Sequence, residues 1–544
     1  MYRSTPSGQL LFENFYLPFG GKLSGENRWV KLAELIPWDE VESEYAQQFS
    51  SSEGAPAKSC RVALGALIIK ERLGTSDEET VEQIRENSYL QYFLGFYEYR
   101  DKAPFEASMF VHFRKRFTVE SVGRINEKIV KLYLEQLSSK SALGDSEAID
   151  SELGKSEVVE SDENECDGDE SEGLESTENG KQDKDKKSVL RASEEKQTEP
   201  AEPTNQGELI IDATCAPVDI QYPPDLRLLN EAREHTEAII DVLYELVRDT
   251  TPKKPRTYRR KARRDFLNTA KKRRSTTKQR RQATRRQLAY MRRNLAHIDV
   301  LVEAGTALSK LSRRQYRTLL VVSEVFRQQQ WMYEQRSRRI DDRIVSLAQP
   351  HVRPIIRGKA GVTVEFGPKL SASCSDGFIY LEHLSWDNFN ESGDLQSQAE
   401  AYKARFGHYP ETIYTDQIYR TRTNRKWRQD RGIRLMGLPL GRPVADKQVA
   451  LRQQLREDEK IRNQIEGKFG QGKRRFSLAR VMAKLAPTAE TSIAVCFLVM
   501  NLERLLRQVL FFIFCHVVHW MGRRYPRRRQ GRDSRTISVC LIAA

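Results

Sequence analysis

Three acidic residues lie in contexts where carboxylates can hold divalent metal ions. Asp212 follows the apolar run LII, Asp416 ends the run TIYT, and Glu466 lies in a helical pattern with basic neighbours. Phosphodiester chemistry on DNA uses such carboxylates to hold two metal ions about 4 Å apart. One ion activates the attacking oxygen and the other stabilises the leaving oxygen. The residue types therefore indicate metal-assisted chemistry on a nucleic acid.

Each of these acids also has an ordinary structural interpretation. An Asp at a strand end is often a turn or cap residue, and a helical Glu beside Lys and Arg is usually a surface ion pair. The chain holds 76 Asp and Glu, so triads can be drawn by spacing alone. Asp219 and Asp225 lie beyond the strand in a Pro-containing loop, and Asp376 begins an Asp-Gly hairpin turn. Whether these acids are metal ligands or ordinary cap, turn and ion-pair residues therefore depends on the strands and helices that carry them.

The segments around the three acids are typical of a mixed α/β core. Short strands are predicted by GELIIDATCAPVDI, VTVEFG, KLSASC, FIYLEHL and ETIYTD. Helices are predicted by QVALRQQLREDEKIRNQIEGKFG and ETSIAVCFLVMNLERLLRQ. The order is strand, helical insert, three strands, helix, strand and helix. This order predicts a mixed sheet interrupted by one large helical insertion.

The predicted insertion is strongly basic. Between Lys253 and Arg293 there are nineteen Lys or Arg and one acid, Asp265, and few Gly or Pro interrupt a helical pattern. Such a run repels itself unless phosphates neutralise it, so DNA contact is favoured over a solvated face. The predicted phosphate contacts are Arg280, Arg281, Arg285 and Arg286.

The flanking regions have distinct compositions. Residues 1–140 predict a helical unit in which Arg114, Lys115 and Arg116 alternate with aromatic residues. This pattern fits either a solvated basic face or a helical DNA-binding module. Residues 141–206 predict a disordered linker, since fifteen Asp or Glu lie between 145 and 180. Residues 509–544 predict a basic tail.

The whole composition indicates a polyanionic partner and a reducing compartment. The chain has 90 Lys and Arg against 76 Asp and Glu, a formal charge of +14 and a pI of about 9.3. Its seven cysteines form no CxxC pair, which argues against a zinc site or a disulfide framework. No apolar run reaches the roughly 20 residues of a spanning helix. We therefore expect a cytoplasmic, nucleoid-associated chain without a membrane partner.

Several long blocks resemble bacterial insertion-sequence transposases of the DDE superfamily, in the family named after insertion sequence five. The blocks are AQPHVRPIIRGKAGVTVEFGPKLSASCSDGFIYLEHLSWDNFNES, TDQIYRTRTNRKW, GIRLMGLPLGRP and RNQIEGKFGQGKRRFSLARVMAKLAPTAETSIAVCFLVMNLERLL, in that order. Residues from about 20 to 140 are similar to the family's N-terminal transposase domain. The resemblance covers most of the chain outside the acidic linker and the C-terminal tail.

The resemblance implies an RNase H-like catalytic core over residues 207–508, with the helical insertion at about 230–348. Asp212, Asp416 and Glu466 would be the catalytic metal ligands, for two Mg²⁺ ions that Mn²⁺ could replace. The family's Tyr-Arg-Glu-Lys signature is matched by Arg462, Glu466 and Lys473, and both basic residues would contact phosphates. Glu459 stands where the family has Tyr, which puts the role of that Tyr in positioning the element-end DNA in doubt.

The implied function is transposition. The N-terminal domain would read the terminal inverted repeats of an insertion sequence. A homo-oligomer on DNA would then nick the element ends and join the freed 3′-hydroxyl to target DNA. Two alternatives stay open from the sequence. One is a catalytically retired transposase that still binds DNA, and the other is an RNase H-like nuclease without strand transfer.

Overall fold

The computed structural model describes residues 11–17, 20–49, 56–142, 205–220, 225–249, 253–356, 364–438 and 448–524. Two compact units form, one from residues 1–131 and 205–544 and the other from residues 132–204. In the second unit only 132–142 are described, as the continuation of a helix. The predicted linker 141–206 lies outside the described residues except at its two ends.

The N-terminal region is helical, as predicted. A 3₁₀ turn at Phe12–Asn14 precedes helices α1 (Arg28–Leu35), α2 (Trp38–Ala46), α3 (Cys60–Leu73), α4 (Asp77–Glu86), α5 (Ser88–Phe93), α6 (Met109–Arg116) and α7 (Val119–Ala142). The ends of α3 show how the sequence sets such boundaries. Ser59 caps its first turn by accepting from the amide of Val62, and Gly74 ends it at a φ of 66°.

The N-terminal helices belong to the same compact unit as the sheet. Their partner is α15 (Ala486–Arg524), which packs against α1, α3 and α6. Arg72 of α3 donates to Glu503 of α15 at 2.9 Å, and the Thr491 hydroxyl donates to the carbonyl of Arg114 at 2.8 Å. Both contacts are largely buried, so the helical region and the core form one packed body.

Arg114 is a structural residue of this body. Its guanidinium is 5 % exposed, makes a two-pronged ion pair with Asp77 and lies over the ring of Phe110. Arg116 lies 3.9 Å from the ring centroid of Phe49. Of the three basic residues interleaved with aromatics, only Lys115 is fully exposed. That motif therefore contributes to packing more than to a basic surface.

The core is a mixed five-stranded sheet in the order β5-β4-β1-β6-β7. Its strands are β1 (Glu208–Cys215), β4 (Lys369–Ser375), β5 (Phe378–Ser385), β6 (Thr412–Thr415) and β7 (Arg434–Leu435). β1 is parallel to β6 and antiparallel to β4. The β4–β5 turn has positive φ at Asp376 (51°) and Gly377 (71°), the geometry that an Asp-Gly hairpin favours.

Alternation along β1 assigns its side chains to the two faces of the sheet. Leu209 and Ile211 pack on α12 (Asp394–Phe406), in a cluster with Leu395, Tyr402 and Tyr419. The opposite face, which carries Asp212, is covered by α14 (Gln448–Arg475) and α15. α13 (Arg422–Gln429) connects β6 to β7.

The predicted insertion is a bundle of four helices among the described residues. They are α8 (Asp225–Leu246), α9 (Arg259–Ala270), α10 (Thr277–Glu303) and α11 (Arg313–Glu334). Two apolar clusters hold α8, α10 and α11 together, one around Leu229, Met291 and Val322 and one around Leu243 and Ile298. α10 starts with a capping box between Thr276 and Gln279.

Three details differ from the sequence expectations. The predicted strand VTVEFG becomes β3 (Val364–Phe366), which pairs with β2 (Pro354–Ile356) in a separate two-stranded sheet. α13 and β7 were not predicted. α15 runs to Arg524, so the expected boundary at 508 falls inside a helix. Within the described part of the chain, no helix is both long and apolar enough to cross a membrane.

Candidate active site

Sheet register places two of the three predicted acids side by side. Ile211 of β1 is the partner of Thr415 of β6 in the parallel pairing. The next residues on the two strands are Asp212 and Asp416, so the carboxylates leave adjacent strands at the same point. Asp416 is exposed and Asp212 is partly buried, so the pair lies at the protein surface.

Helix α14 brings the third acid to the same face. Ile465 and Phe469 bury one side of the helix against the core. Two turns before Glu466, buried Asp458 accepts two bonds of 2.6 Å from Arg434 of β7. This ion pair joins the helix to the edge of the sheet, and Glu466 is exposed.

Arg462 connects two of the carboxylates. Its Nη1 lies 3.1 Å from Oδ1 of Asp416 and 3.0 Å from Oε1 of Glu466. Burial acts to lower the pKa of Arg462, but the charges of Asp416 and Glu466 outweigh burial and raise it above its ordinary value. The guanidinium is therefore a fixed cation between two acids that would otherwise repel each other.

The pKa of Asp212 is raised by its burial and by the charges of neighbouring acids. Burial raises the pKa of Asp212 to about 6, although the amide of Ala213 donates to Oδ1 at 2.8 Å and favours the charged form. The charges of Asp416, Glu391 and Glu466 raise this pKa further. Strand register thus places Asp212 beside Asp416, and Arg462 lies between Asp416 and Glu466.

Glu391 is a further acid whose charge acts on Asp212, and the sequence does not predict it. It begins the short 3₁₀ helix Glu391–Gly393 and forms a 2.8 Å ion pair with Lys369. Nothing in its local sequence marks it, because its proximity to Asp212 depends on how this 3₁₀ helix packs against the segment that follows β6. The buried Tyr419 also lies close enough for both acids to act on it. Burial, Glu391 and Asp212 raise the pKa of its phenol.

The donor set suits a hard divalent cation. Carboxylate oxygens are the ligands that Mg²⁺ prefers, and the charges that raise the pKa of Asp212 are those that a bound cation would neutralise. Among the described residues, no group of three His, Cys, Asp or Glu lies at metal-binding spacing. The carboxylates would therefore have to move together, with Arg462 leaving its place between Asp416 and Glu466.

The other predicted positions on α14 lie along the same helix. Lys473 follows Glu466 by seven residues, which returns it to nearly the same side of the helix, and it is half-buried. Glu459 is exposed and lies 4.0 Å from Nη2 of Arg462. Glu459 thus adds one more negative charge beside the guanidinium of Arg462.

Three of the four arginines predicted to contact DNA have partners inside the insertion. Arg280 donates to the carbonyl of Ser275 at 2.9 Å, and Arg281 lies 4.2 Å from the ring centroid of Tyr333. Arg286 lies 3.7 Å from Asp265. Arg285 is exposed and has no such contact with the described residues. Their DNA contacts stay predictions.

Three other acids near the strands, which the sequence assigns to a loop or a turn, have structural roles. Asp219 forms an ion pair with Arg480 at 2.6 Å. Asp225 pairs with Arg343 and accepts a bond from Gln329 at 2.9 Å. Asp376 occupies the hairpin turn between β4 and β5. Each has a local partner or turn that accounts for it.

Two family models match parts of the chain. Residues 413–503 match the family described as "Transposase DDE domain", and residues 18–116 match that described as "Transposase domain (DUF772)". The first match contains Asp416, Arg462 and Glu466, whereas Asp212 and the helical insertion lie outside both. No solved structure matches the chain.

A curated relative matches a shorter stretch. It is the "Uncharacterized protein ORF8 in nfe locus" of Rhizobium meliloti, which is 33 % identical over 106 residues. The alignment covers 20 % of this chain, and the chain spans about half, 51 %, of the relative's length. Taken together with the two domain matches, this similarity supports an insertion-sequence transposase.

Proposed function

We propose that this chain is a DDE transposase, of the family named after insertion sequence five, with an RNase H-like core. It binds the terminal inverted repeats of an insertion sequence and catalyses metal-dependent DNA cleavage and strand transfer. The observation that carries the proposal is the convergence of Asp212, Asp416 and Glu466 on one face of the sheet. Its partners are element-end and target DNA in the cytoplasm, where it acts as a homo-oligomer on DNA.

The three carboxylates would hold the metal ions. Bound Mg²⁺, or Mn²⁺ in its place, supplies a nucleophile at neutral pH and stabilises the leaving oxygen. Asp212 and Asp416 project from rigid parallel strands, and α14 holds Glu466 through the Asp458–Arg434 pair. These elements hold the backbone positions of the donors, while Asp416 and Glu466 are exposed on the side that a DNA backbone would approach.

Arg462 lies between the carboxylates of Asp416 and Glu466 and neutralises them. With a metal ion held by these carboxylates, the guanidinium would be free to bind a phosphate oxygen next to the bond being cut. Guanidinium binds phosphate in a two-pronged geometry, so the same side chain can then position the substrate. Lys473, farther along α14, would contact the backbone on the same side.

The test is cleavage of a labelled duplex that carries the inverted repeat flanking the gene. With Mg²⁺ present, we expect a nick at the element end and a joined product when target DNA is added. A duplex with a scrambled end and a reaction with chelator are the controls. Specific binding without any nick would favour the retired transposase, and nicking without joining would favour the nuclease.

A further inference from the structure

The seven basic side chains of α10 fall into two groups. One group has partners within the insertion: Arg280, Arg281, Arg286 and Arg293. On α10, Lys278, Arg285 and Arg292 make no hydrogen bond, ion pair or ring contact with the described residues, and all three are exposed. Contacts inside the fold account for the charges of the first group, whereas the charges of the second group have no such contact among the described residues.

The three unpartnered cations form a straight row. They lie seven residues apart on one continuous helix. Successive side chains of the row are therefore rotated by only about 20° around the helix axis and separated by about 10 Å along it. The buried side of α10 is centred on Gln287, Met291 and Asn294, which the helical period places on the opposite side. The row therefore faces solvent directly.

We propose that Lys278, Arg285 and Arg292 form a track for the phosphate backbone of duplex DNA. The inference rests on the proposed function, which makes DNA the partner. It keeps Arg285 from the four arginines expected from the sequence, and replaces Arg280, Arg281 and Arg286 by Lys278 and Arg292. The row is about 20 Å long, and each strand of a duplex carries a phosphate about every 3.4 Å of axis, so several phosphates lie within the length of the row. The row can thus bring three cations against the phosphates of one duplex.

Local charge supports a polyanion as the occupant. Asp265 is the single acid between residues 253 and 293. It accepts a hydrogen bond from the Tyr290 hydroxyl at 2.8 Å and forms an ion pair with Arg286. The exposed segment KKRR at 271–274 lies just before α10 and extends the basic surface beyond its first turn. After Arg292 the same side of the helix carries Asp299 and Glu303, so the track ends there.

The test compares two triple variants of the full-length chain. One is Lys278→Gln with Arg285→Gln and Arg292→Gln. Its control is Arg280→Gln with Arg281→Gln and Arg286→Gln, which removes the same charge from the same helix but from partnered side chains. Binding to a labelled duplex of arbitrary sequence is measured by fluorescence anisotropy over a salt series, with chelator present. Circular dichroism checks that both variants keep the helical content of the parent.

For the row variant, we expect the slope of log affinity against log salt to fall by about 2 to 3, since each lost phosphate contact removes about 0.9. The control should change the slope by less than about 1. The single variants Arg285→Gln and Arg292→Gln should each lower it by about 1, which keeps the test open if a triple variant misfolds. A row variant with the parent's slope, or equal losses in both triple variants, would overturn the track.

These measurements need neither metal nor a specific end sequence. If the row variant keeps the parent's salt slope, the phosphate track is wrong, and the cleavage test of the proposed function is unaffected. Conversely, a parent chain that binds DNA through the row but cuts no element end would contradict the proposed chemistry alone.

Discussion

Replacement of Glu466 by Gln is expected to reduce metal-dependent cleavage of an element-end duplex by at least about a thousandfold. A bound metal contributes several kcal/mol to stabilising the transition state, and about 1.4 kcal/mol corresponds to a factor of ten in rate. The Glu466 carboxylate is exposed, so Gln should leave the packing of α14 intact. DNA binding should be retained or become slightly tighter, because one negative charge near phosphate is lost. Single-turnover cleavage and anisotropy measure the two effects separately.

Glu459→Gln is the matched control for this variant. It removes the same charge from an exposed position on the same helix, next to the same Arg462. We expect its cleavage rate to stay within a few-fold of the parent rate. If Glu466→Gln cuts as fast as the parent, Glu466 is not a ligand for the reaction. If both variants lose activity equally, the loss reports charge near Arg462 rather than metal coordination.

Replacement of Asp212 by Asn is expected to stabilise the metal-free fold while it abolishes cleavage. The folded pKa of Asp212 is raised to about 6, from an ordinary value of 3.8. The ionised carboxylate therefore costs stability above about pH 6, and the cost disappears as the pH falls towards 4. A shift of this size corresponds to up to about 3 kcal/mol at neutral pH. Asn can still accept the bond from the Ala213 amide.

The measurement is the free energy of unfolding in urea, with chelator present, between about pH 4 and pH 7. The gain of Asp212→Asn over the parent should be largest near pH 7 and should vanish near pH 4. Asp219→Asn is the control, because its carboxylate pairs with Arg480 near the surface and should change stability by no more than about 1 kcal/mol. A gain that does not vary with pH would show that Asp212 is not held at an electrostatic cost.

The parts of the site that follow from local pattern were predictable. An acid within an apolar run and an acid ending a second run place two carboxylates on strands, and the helical period of α14 places Glu466 on a helix. The mixed sheet and the helical N-terminal region follow from the same periodicities and are confirmed. The insertion is helical because almost no Gly or Pro interrupts it.

The parts that depend on tertiary contacts could not be predicted. The charge of Glu391 acts on Asp212 because the short 3₁₀ helix after β5 packs against the segment that follows Asp416. Arg280 and Arg286 look like phosphate ligands in sequence, yet a local carbonyl and Asp265 already bind them. β3 has the composition of a central strand but pairs with β2, since strand composition does not specify a partner.

The position of Arg462 also depends on tertiary structure. The family resemblance implies a phosphate contact for Arg462, and the structure places its guanidinium between the carboxylates of Asp416 and Glu466. Both positions are compatible with one flexible side chain. The sequence shows which residues share a helix face, whereas the charge of the neighbouring strand determines what the guanidinium binds.

Mn²⁺ binding, followed by the loss of the free-ion signal in electron paramagnetic resonance, tests the shared metal site most directly. The parent and Glu459→Gln should bind Mn²⁺ alike. Asp212→Asn and Glu466→Gln should each weaken binding by at least about tenfold, since removing a ligand costs no less than disturbing its support. Weakened binding in both would show that a strand acid and a helix acid belong to the same metal site. Equal Mn²⁺ binding by all four proteins would contradict a metal site built from these carboxylates.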